Sequence, residues 1–284
     1  MNFQNRTAWV TGASSGIGEA LAKDLAERGA RVILSGRREG ELQRVAQSAD
    51  GETLVLPFEA TAYDALPNVV ENALQWRGGV DLLINNAGVS QRSLALDTSF
   101  DVYRRIMEID FFAPLRLTQL VLPSMIARKS GYIVIISSVA GKVGAPLRTA
   151  YCAAKHACVG YFDALRAEVE AAYGVGVSVV TPGSVRTGIA SNALTGDGSR
   201  RGRSDDNIDN GMAPEKAAEI ILDGVEKGER EIPVAEGMEL AALQMRAANP
   251  DALFGFVAQE GARLAAAREA GEAVDPAMIN RSET

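Results

Sequence analysis

The feature that most constrains the fold of this chain is a regular alternation of short apolar runs with longer amphipathic stretches. The apolar runs cover residues 8–10, 32–34, 53–56, 82–84, 132–136 and 177–180, with a further one around 231–234. Most are continuously apolar, as in strands that helices cover on both faces. Strands that alternate with helical patterns form parallel sheets. The sequence therefore predicts an α/β fold, a doubly wound parallel sheet of about seven strands with helices on both faces.

Length and composition are those of a globular protein. The 284 residues are enough to bury a large core, and 47% hydrophobic with 23% charged residues is ordinary for such a chain. The net charge of −7 gives no support to binding of nucleic acid or of an anionic membrane. We expect no membrane span, because every apolar run is too short, and no cleavable signal ahead of the first strand.

Cys152, His156 and Cys158 fall on one predicted helix. Two cysteines six residues apart do not argue for a disulfide, so a reducing, cytoplasmic location is the simple expectation. Two cysteines and one histidine are too few for the usual zinc site, so no metal is expected. His156 directly follows Lys155, and adjacent residues do not share a helix face. That placement favours a structural role for His156.

The chain changes character after its first two thirds. Residues 188–212 are rich in Gly, Ser, Asp, Asn and Arg, a composition that suits a mobile surface loop. Residues 238–268 contain two helical patterns. We expect a single domain over residues 1–268 and a frayed tail over 269–284.

A glycine-rich turn follows the first apolar run. Thr11-Gly12 ends the run, and Gly16 and Gly18 open an amphipathic stretch, in the spacing G-x-x-x-G-x-G. A strand, a glycine turn and a helix in this order are typical of a dinucleotide site, because glycines let the backbone approach a pyrophosphate at the helix N-terminus. An ordinary turn between a strand and a helix is the structural alternative.

The end of the second apolar run indicates which dinucleotide would bind. NAD sites usually carry a carboxylate about 20 residues after the glycines, where it binds the ribose 2′-hydroxyl. This chain has Arg37 and Arg38 there instead, and a guanidinium suits a 2′-phosphate. The sequence favours NADP over NAD, with Arg37 as the first choice for the contact and Ser14 or Ser15 as a helper. Solvated arginines without a ligand are the alternative.

Tyr151 and Lys155 have the spacing of a catalytic pair. Residues four apart share a helix face, so the phenol and the ammonium can meet in one pocket. A phenol has a pKa of about 10, and a nearby cation favours the phenolate and lowers that pKa. Such a tyrosine can exchange a proton with an alcohol or a carbonyl near neutral pH. The same spacing also occurs by chance on helix surfaces.

As a set, these motifs strongly resemble those of the short-chain dehydrogenase/reductase family. They are Thr11-Gly12-x-x-x-Gly16-x-Gly18, Asn85-Asn86-Ala87-Gly88, Ser138, Tyr151-x-x-x-Lys155 and Pro182-Gly183, in this order within residues 5–187. The resemblance implies a Rossmann-like fold and oxidoreductase activity. It also implies that Tyr151 is the acid/base and that Ser138 holds the substrate oxygen. Lys155 is then the residue that binds the nicotinamide ribose and lowers the pKa of Tyr151.

The resemblance, together with the two arginines, assigns a cofactor group and a substrate group. The cofactor group is Gly12, Ser14, Ser15, Gly16, Ile17, Gly18, Arg37, Arg38, Glu59, Ala60, Asn86, Ala87, Gly88, Tyr151, Lys155, Pro182, Gly183, Val185 and Thr187. The substrate group is Ser90, Ser138, Val139, Ala140, Leu147, Tyr151 and Ser184. Because the pocket residues that the resemblance adds are small or apolar, we expect a hydrophobic carbonyl compound or secondary alcohol.

Two positions depart from the family pattern. Asp110 stands where family members carry an asparagine that helps to hold a water of the proton relay, and it is counted here among the catalytic residues. A carboxylate there opposes ionisation of Tyr151 and raises its pKa, unless backbone donors satisfy it or it is protonated. Glu59 stands for the family's aspartate that meets the adenine.

Three functions fit these residues. The first is an NADP(H)-dependent oxidoreductase, the second an epimerase or dehydratase of the same fold, and the third a non-catalytic NADP sensor. Arg200, Arg201 and Arg203 either meet an anionic group of the substrate or balance nearby aspartates in solvent. Related proteins form dimers or tetramers through long helices, here about 101–128 and 150–173, so a homodimer or homotetramer is expected.

Overall fold

A computed structural model describes residues 1–275. The strands in this range are β1 Thr7–Thr11, β2 Arg31–Ser35, β3 Thr53–Val55, β4 Leu82–Asn85, β5 Gly131–Ile136, β6 Val175–Pro182 and β7 Glu231–Val234. The helices in it are α1 Gly16–Glu27, α2 Glu39–Ser48, α3 Leu66–Gln75, α4 Phe100–Met107, α5 Ala113–Arg128, α6 Thr149–Tyr173, α7 Asp206–Asp209, α8 Pro214–Lys227, α9 Gly237–Ala248 and α10 Pro250–Glu269. Every predicted apolar run is a strand.

The strands form one sheet whose order, over residues 1–275, is β3-β2-β1-β4-β5-β6-β7. All neighbouring strands are parallel. The predicted Rossmann-like, doubly wound sheet is therefore confirmed. The direction of winding reverses between β1 and β4, and ligands of such sheets bind outside the carboxyl ends of the strands at that point.

Two apolar layers cover the opposite faces of the sheet. Neighbouring residues of a strand point to opposite faces, so Val10 packs with α1, α2 and α8 while Trp9 packs with α3, α5 and α6. Leu21 and Leu25 of α1 are fully buried in the first layer, and Phe162 of α6 is fully buried in the second. The need to fill both layers explains why the strands read as continuous apolar runs.

A π-helical turn, Glu108–Phe112, joins α4 and α5 into one helical arm. Its cause is local, because Pro114 has no N–H with which to bond the carbonyl of Asp110 four residues earlier. That carbonyl instead accepts a hydrogen bond from the Cys158 thiol of α6 at 3.1 Å. The arm thereby turns the Asp110 side chain into the protein, where it is completely buried.

The segment 188–212, predicted as a mobile surface loop, is packed against the core. Ala190, Ala193 and Leu194 are buried, and backbone bridges join Leu194 to Gln91 and Met212 to Val185. The polar composition of the segment hides these few apolar anchors. We refer to residues 188–212 as the lid, because they lie beside the loops that follow β4 and β6.

The predicted pair of C-terminal helices is present as α9 and α10. Asn249 ends the first helix and caps the second, since its Oδ1 accepts from Ala252 N at 3.2 Å. Beyond α10 the chain returns to the lid, where Asp275 pairs with Arg201 at 3.1 Å and with Arg203 at 2.6 Å. The remainder of the predicted tail, 276–284, lies outside the described residues. Among the described helices, none is long and apolar enough to cross a bilayer.

Candidate active site

The carboxyl edge of the sheet gathers the sequence motifs at one place. Gly12 follows β1, Asn86 follows β4, Ser138 follows β5 and Gly183 follows β6. The helix that carries Tyr151, α6, packs against β6 and against the turn Val139–Gly141. Because β1, β4, β5 and β6 are parallel neighbours, the motifs that follow them lie close together, as the sequence predicts.

The glycine turn has no room for side chains. Gly12 and Gly16 have φ angles of +66° and +59°, which favour glycine. A Cβ at Gly18 would lie 2.3 Å from the carbonyl oxygen of Gly12. Asn86 braces the turn by donating from Nδ2 to Thr11 O at 3.0 Å, and Thr11 Oγ1 accepts from Asn86 N at 3.0 Å. The turn is thus held rigidly in front of the N-terminus of α1, as a pyrophosphate cradle requires.

Arg38 lies beside the glycine turn. Its Nη2 donates to Ser14 Oγ at 3.0 Å and to Ser15 Oγ at 3.1 Å. Arg37 points into solvent, with 69% of its side chain exposed, and pairs with Glu59 at 3.6 Å. Arg38 is therefore the arginine that lies against the glycine turn, whereas the sequence favours Arg37 for a contact there. Because consecutive residues point in different directions, only one of the two can face the turn.

The acid/base pair meets as its spacing predicts. Lys155 Nζ lies 5.6 Å from the centre of the Tyr151 ring and donates to Ile136 O at 3.1 Å. Ser138 Oγ accepts from Ala140 N at 3.1 Å and lies 3.2 Å from Pro182 O. Hydrogen bonding with Ser138 favours the ionised form of Tyr151. The three polar groups needed for proton transfer to an oxygen atom are therefore in one pocket.

Asp110 forms a buried ion pair with Lys155. Its Oδ2 lies 3.3 Å from Lys155 Nζ, and its Oδ1 accepts from Val89 N at 2.8 Å. Burial raises the pKa of Asp110, and the charge of Lys155 opposes that shift. Burial also disfavours the ammonium of Lys155, but Asp110 and Tyr151 together hold its pKa above the usual value. The departure from the family pattern thus adds a second anionic partner for Lys155.

Lys155 consequently interacts with two acidic groups, the phenol of Tyr151 and the carboxyl group of Asp110. Burial raises the pKa of Tyr151, Lys155 lowers it, and Asp110 raises it again. The lowering that the Tyr151–Lys155 spacing predicts is present, but burial outweighs it. An asparagine at 110 would remove the carboxylate that works against the phenolate and leave the effect of burial.

Further residues of the cofactor group follow β3 and β6 at the same edge of the sheet. The Thr187 side chain closes over the glycine turn, 2.9 Å from where a Cβ of Gly16 would lie. Val185 is buried and its backbone pairs with the end of the lid at Met212. Ala60 follows Glu59 beyond β3. Ile17, the second residue of α1, packs against the first apolar layer.

The predicted substrate residues differ in their accessibility. Val139 and Ala140 form the turn after Ser138, and Leu147 is buried with a φ of +64°. Ser90 is buried, and its Oγ accepts from Arg92 at 2.7 Å. Ser184 is committed elsewhere, because its Oγ donates to Glu239 at 2.7 Å. The Ser184 hydroxyl is therefore engaged in a hydrogen bond within the protein.

Glu239 is a site residue that the sequence did not reveal. It lies in the first turn of α9 and receives Ser184 N at 2.6 Å as well as the Ser184 hydroxyl. Asn207 of the lid donates to the same hydroxyl at 2.7 Å. One carboxylate thus joins the C-terminal helices and the loop after β6, and Ser184 extends the network to the lid. An acidic residue in the first helical turn is ordinary, so its sequence carries no signal of this contact.

Comparison with known proteins now places the chain in a family. A family model described as short chain dehydrogenase matches residues 6–197. The chain belongs to the short-chain dehydrogenase/reductase family. It is 38% identical over 265 residues to Dehydrogenase/reductase SDR family member 7B of Xenopus tropicalis, covering 90% of this chain and 85% of that protein. It is 40% identical over 262 residues to Dehydrogenase/reductase SDR family protein 7-like of Drosophila melanogaster, covering 90% and 80%.

Solved structures of short-chain dehydrogenases share the fold. A short-chain dehydrogenase/reductase of Burkholderia phymatum in complex with NAD superposes with a TM-score of 0.76 at 22% identity, covering 98% of this chain and all of that one. A short-chain dehydrogenase of Burkholderia cenocepacia in complex with NADP gives a TM-score of 0.76 at 25% identity, covering 90% and 99%. By family this chain is a dehydrogenase/reductase, and its fold is that of family members solved with NAD and with NADP. Glu239 lies outside the segment that the family model matches.

Asp110→Asn tests the effect of the second carboxylate on Tyr151. Removing the charge should lower the pKa of Tyr151, so the rate of alcohol oxidation should rise at a pH lower by about one unit than in the wild type. The measurement is the pH dependence of the oxidation rate, with Asp101→Asn on the exposed side of the same helical arm as a control. Coincident profiles for the wild type and Asp110→Asn would show that Asp110 does not influence the relay.

Glu239→Gln tests the network around Ser184. The amide cannot accept from both donors of Ser184, so the loop after β6 should loosen and the Kd for NADPH should rise severalfold. Hydrogen exchange at the Ser184 amide should also become faster in the protein without cofactor. Glu236→Gln, an exposed neighbour, is the matched control. Unchanged exchange at Ser184 would contradict this role of Glu239.

Proposed function

We propose that this protein is an NADP(H)-dependent oxidoreductase that interconverts a carbonyl group and a secondary alcohol of a small, largely apolar molecule. The observation that carries the proposal is the meeting of Tyr151, Lys155 and Ser138 beside a glycine turn that Arg38 flanks. A non-catalytic sensor would leave the complete set of Ser138, Tyr151 and Lys155 without a role.

The residues present fit a dinucleotide phosphate. The glycine turn leaves a cradle that a Cβ at Gly12 or Gly18 would fill. Arg38 with the hydroxyls of Ser14 and Ser15 offers donors of the kind that bind a phosphate monoester. These donors support NADP over NAD.

A nicotinamide held by these residues would supply the chemistry of hydride transfer. Ser138 would hold the substrate oxygen by a hydrogen bond, and the Tyr151 hydroxyl would donate a proton to that oxygen during reduction and recover it during oxidation. Lys155 stabilises the resulting phenolate by its charge, and its bond to Ile136 O fixes its position. Asp110 pairs with the same ammonium at 3.3 Å.

We also propose a homodimer or homotetramer in the cytoplasm. The long helical arm exposes Phe100 and Phe112, with 75% and 44% of each residue accessible, which supports an interface between copies of the chain along α4 and α5.

Both cysteines are free thiols, which supports a reducing compartment.

Arg38→Gln tests the preference for NADP. Loss of a charge-assisted hydrogen bond to the 2′-phosphate should raise the KM for NADPH by about tenfold or more and leave the KM for NADH little changed. Arg37→Gln is the matched control and should behave nearly as the wild type. A larger effect of Arg37→Gln than of Arg38→Gln would restore the order expected from the sequence.

Tyr151→Phe tests the oxidoreductase function itself. Because the phenylalanine cannot move a proton, turnover should fall by about 100-fold or more, while NADPH affinity stays at the wild-type level. Turnover is followed by the absorbance of NADPH over a panel of ketones and secondary alcohols. If the variant retains full turnover, Tyr151 is not the acid/base. If the wild type binds NADPH but reduces no ketone, the sensor function gains support.

A further inference from the structure

Three arginines surround one carboxylate next to the predicted substrate site. Arg92 donates to Asp205 Oδ2 from Nε at 2.7 Å and from Nη2 at 2.6 Å, and Arg201 donates to Asp205 Oδ1. Arg148 Nη2 lies 3.5 Å from the same Oδ2. We call Arg92, Arg148, Arg201 and Asp205 the arginine cluster. Its side chains come from the loop after β4, from the residue before α6 and from the lid.

The arginine cluster carries more positive than negative charge. Only 4% of the Arg92 side chain, 7% of Arg201 and 2% of Asp205 are exposed. Arg201 also reaches Asp275, but Arg203 competes for that carboxylate. Asp206 and Asp209, which follow Asp205, are exposed to solvent. Buried charges are expensive unless they are paired, and burial together with Arg148 lowers the pKa of Arg92 to about 10.

Arg148 is the most accessible and the least well paired arginine of the cluster. A fifth of its side chain is exposed, and its contact with Asp205 at 3.5 Å is the longest of the three. Arg148 is also the N-cap residue of α6, a helix of 25 residues whose first turn, from Thr149 to Tyr151, is uncharged. The helix dipole places partial positive charge at the same point. An anion at Arg148 would compensate the charge of its guanidinium and the partial positive charge of the helix N-terminus.

The cluster adjoins the predicted substrate residues Ser90 and Leu147. Arg92 Nη1 donates to Ser90 Oγ at 2.7 Å, so this hydroxyl is free to direct its own proton to another acceptor. Arg148 follows Leu147 and precedes Tyr151 by three residues, within one turn of the acid/base. The charge of Arg92 also acts on Tyr151. A molecule whose carbonyl meets Tyr151 therefore has this positive region close by.

We propose that the arginine cluster binds an anionic group of the substrate, a carboxylate or a phosphate, with Arg148 making the contact. The inference rests on the proposed function, since it takes Tyr151 as the point where the carbonyl reacts. Combined with the apolar Val139 and Leu147, it describes a substrate with a reacting carbonyl, an apolar body and one anionic end. Of the two roles that the sequence left open for Arg201, the structure shows the balancing of an aspartate. The pair lies within the lid and is buried instead of exposed to solvent, and Asp205 in turn joins the lid to Arg92.

Two other roles of the cluster give different experimental results. If the cluster only fastens the lid, loss of Arg148 should affect neutral and anionic substrates alike. If Arg148 only favours ionisation of Tyr151, its loss should lower kcat for both kinds of substrate and move the pH profile. Only if Arg148 binds an anionic group should the loss of Arg148 affect anionic substrates more than neutral ones.

The experiment compares matched substrates and variants. The substrate pairs are acetoacetate with its ethyl ester, and hydroxyacetone phosphate with hydroxyacetone, so that the two arms separate carboxylate from phosphate. The variants are Arg148→Gln, Arg148→Lys and, as a control on exposed α5, Arg116→Gln. In parallel, inorganic phosphate and acetate are titrated by calorimetry into wild type and variants saturated with NADP⁺, which keeps the added anions away from the cofactor site.

Arg148→Gln should raise the KM for at least one anionic substrate about tenfold or more relative to its neutral partner. Arg148→Lys should restore part of the loss, and Arg116→Gln should match the wild type. Binding of phosphate or acetate should disappear in Arg148→Gln. Equal changes for charged and neutral partners, together with unchanged anion binding, would overturn the inference.

Failure of the proposed function would look different. If the wild type neither binds NADP⁺ nor turns over any substrate, the oxidoreductase assignment is wrong. The anion site is then decided by titrating phosphate into the free protein. Binding that Arg148→Gln abolishes and Arg38→Gln preserves supports the cluster, whereas the opposite pattern assigns the anion to the glycine turn and overturns the inference.

Discussion

The buried ion pair between Asp110 and Lys155 is the interaction on which the site depends. It joins the two longest helical segments of the sheet's second face, because Asp110 belongs to the arm 100–128 and Lys155 to α6. Lys155 then sets the electrostatic environment of Tyr151, while its bond to Ile136 ties the same ammonium to the end of β5. Lys155 Nζ thus joins the helical arm to β5 and also supplies the charge that lowers the pKa of Tyr151.

Around this pair, parts of the chain far apart in sequence converge on the pocket. The lid is fastened to the loop after β4 through Asp205 and Arg92, and to the loop after β6 through Asn207 and Ser184. The C-terminal helices reach the same loop through Glu239. The substrate side of the enzyme is thus a network of short polar contacts mounted on a rigid sheet, as expected where specificity is adjusted by loops and catalysis by the scaffold.

The sequence predicts the sheet well because its signal is local. Strands buried on both faces must be apolar throughout, and all seven predicted runs are strands of the described sheet. The spacing of Tyr151 and Lys155 likewise needs only the geometry of one helix. Three features depend on how distant elements pack: the contact of Asp110 with Lys155, the position of Arg38 beside the glycine turn, and the contact of Glu239 with Ser184. Which of the two consecutive arginines faces the glycine turn depends on the backbone direction after β2, and the local sequence carries no signal of that direction.

The π-helical turn also limits how the chain can tolerate changes in length. Pro114 leaves the Asp110 carbonyl to the Cys158 thiol, and the wider turn accommodates one residue more than a regular helix would over the same axial rise. Deleting a single residue between α4 and α5 would let the arm wind regularly, but it would swing position 110 by roughly a quarter turn away from Lys155. Insertions and deletions in this arm are therefore constrained by chemistry as well as by packing.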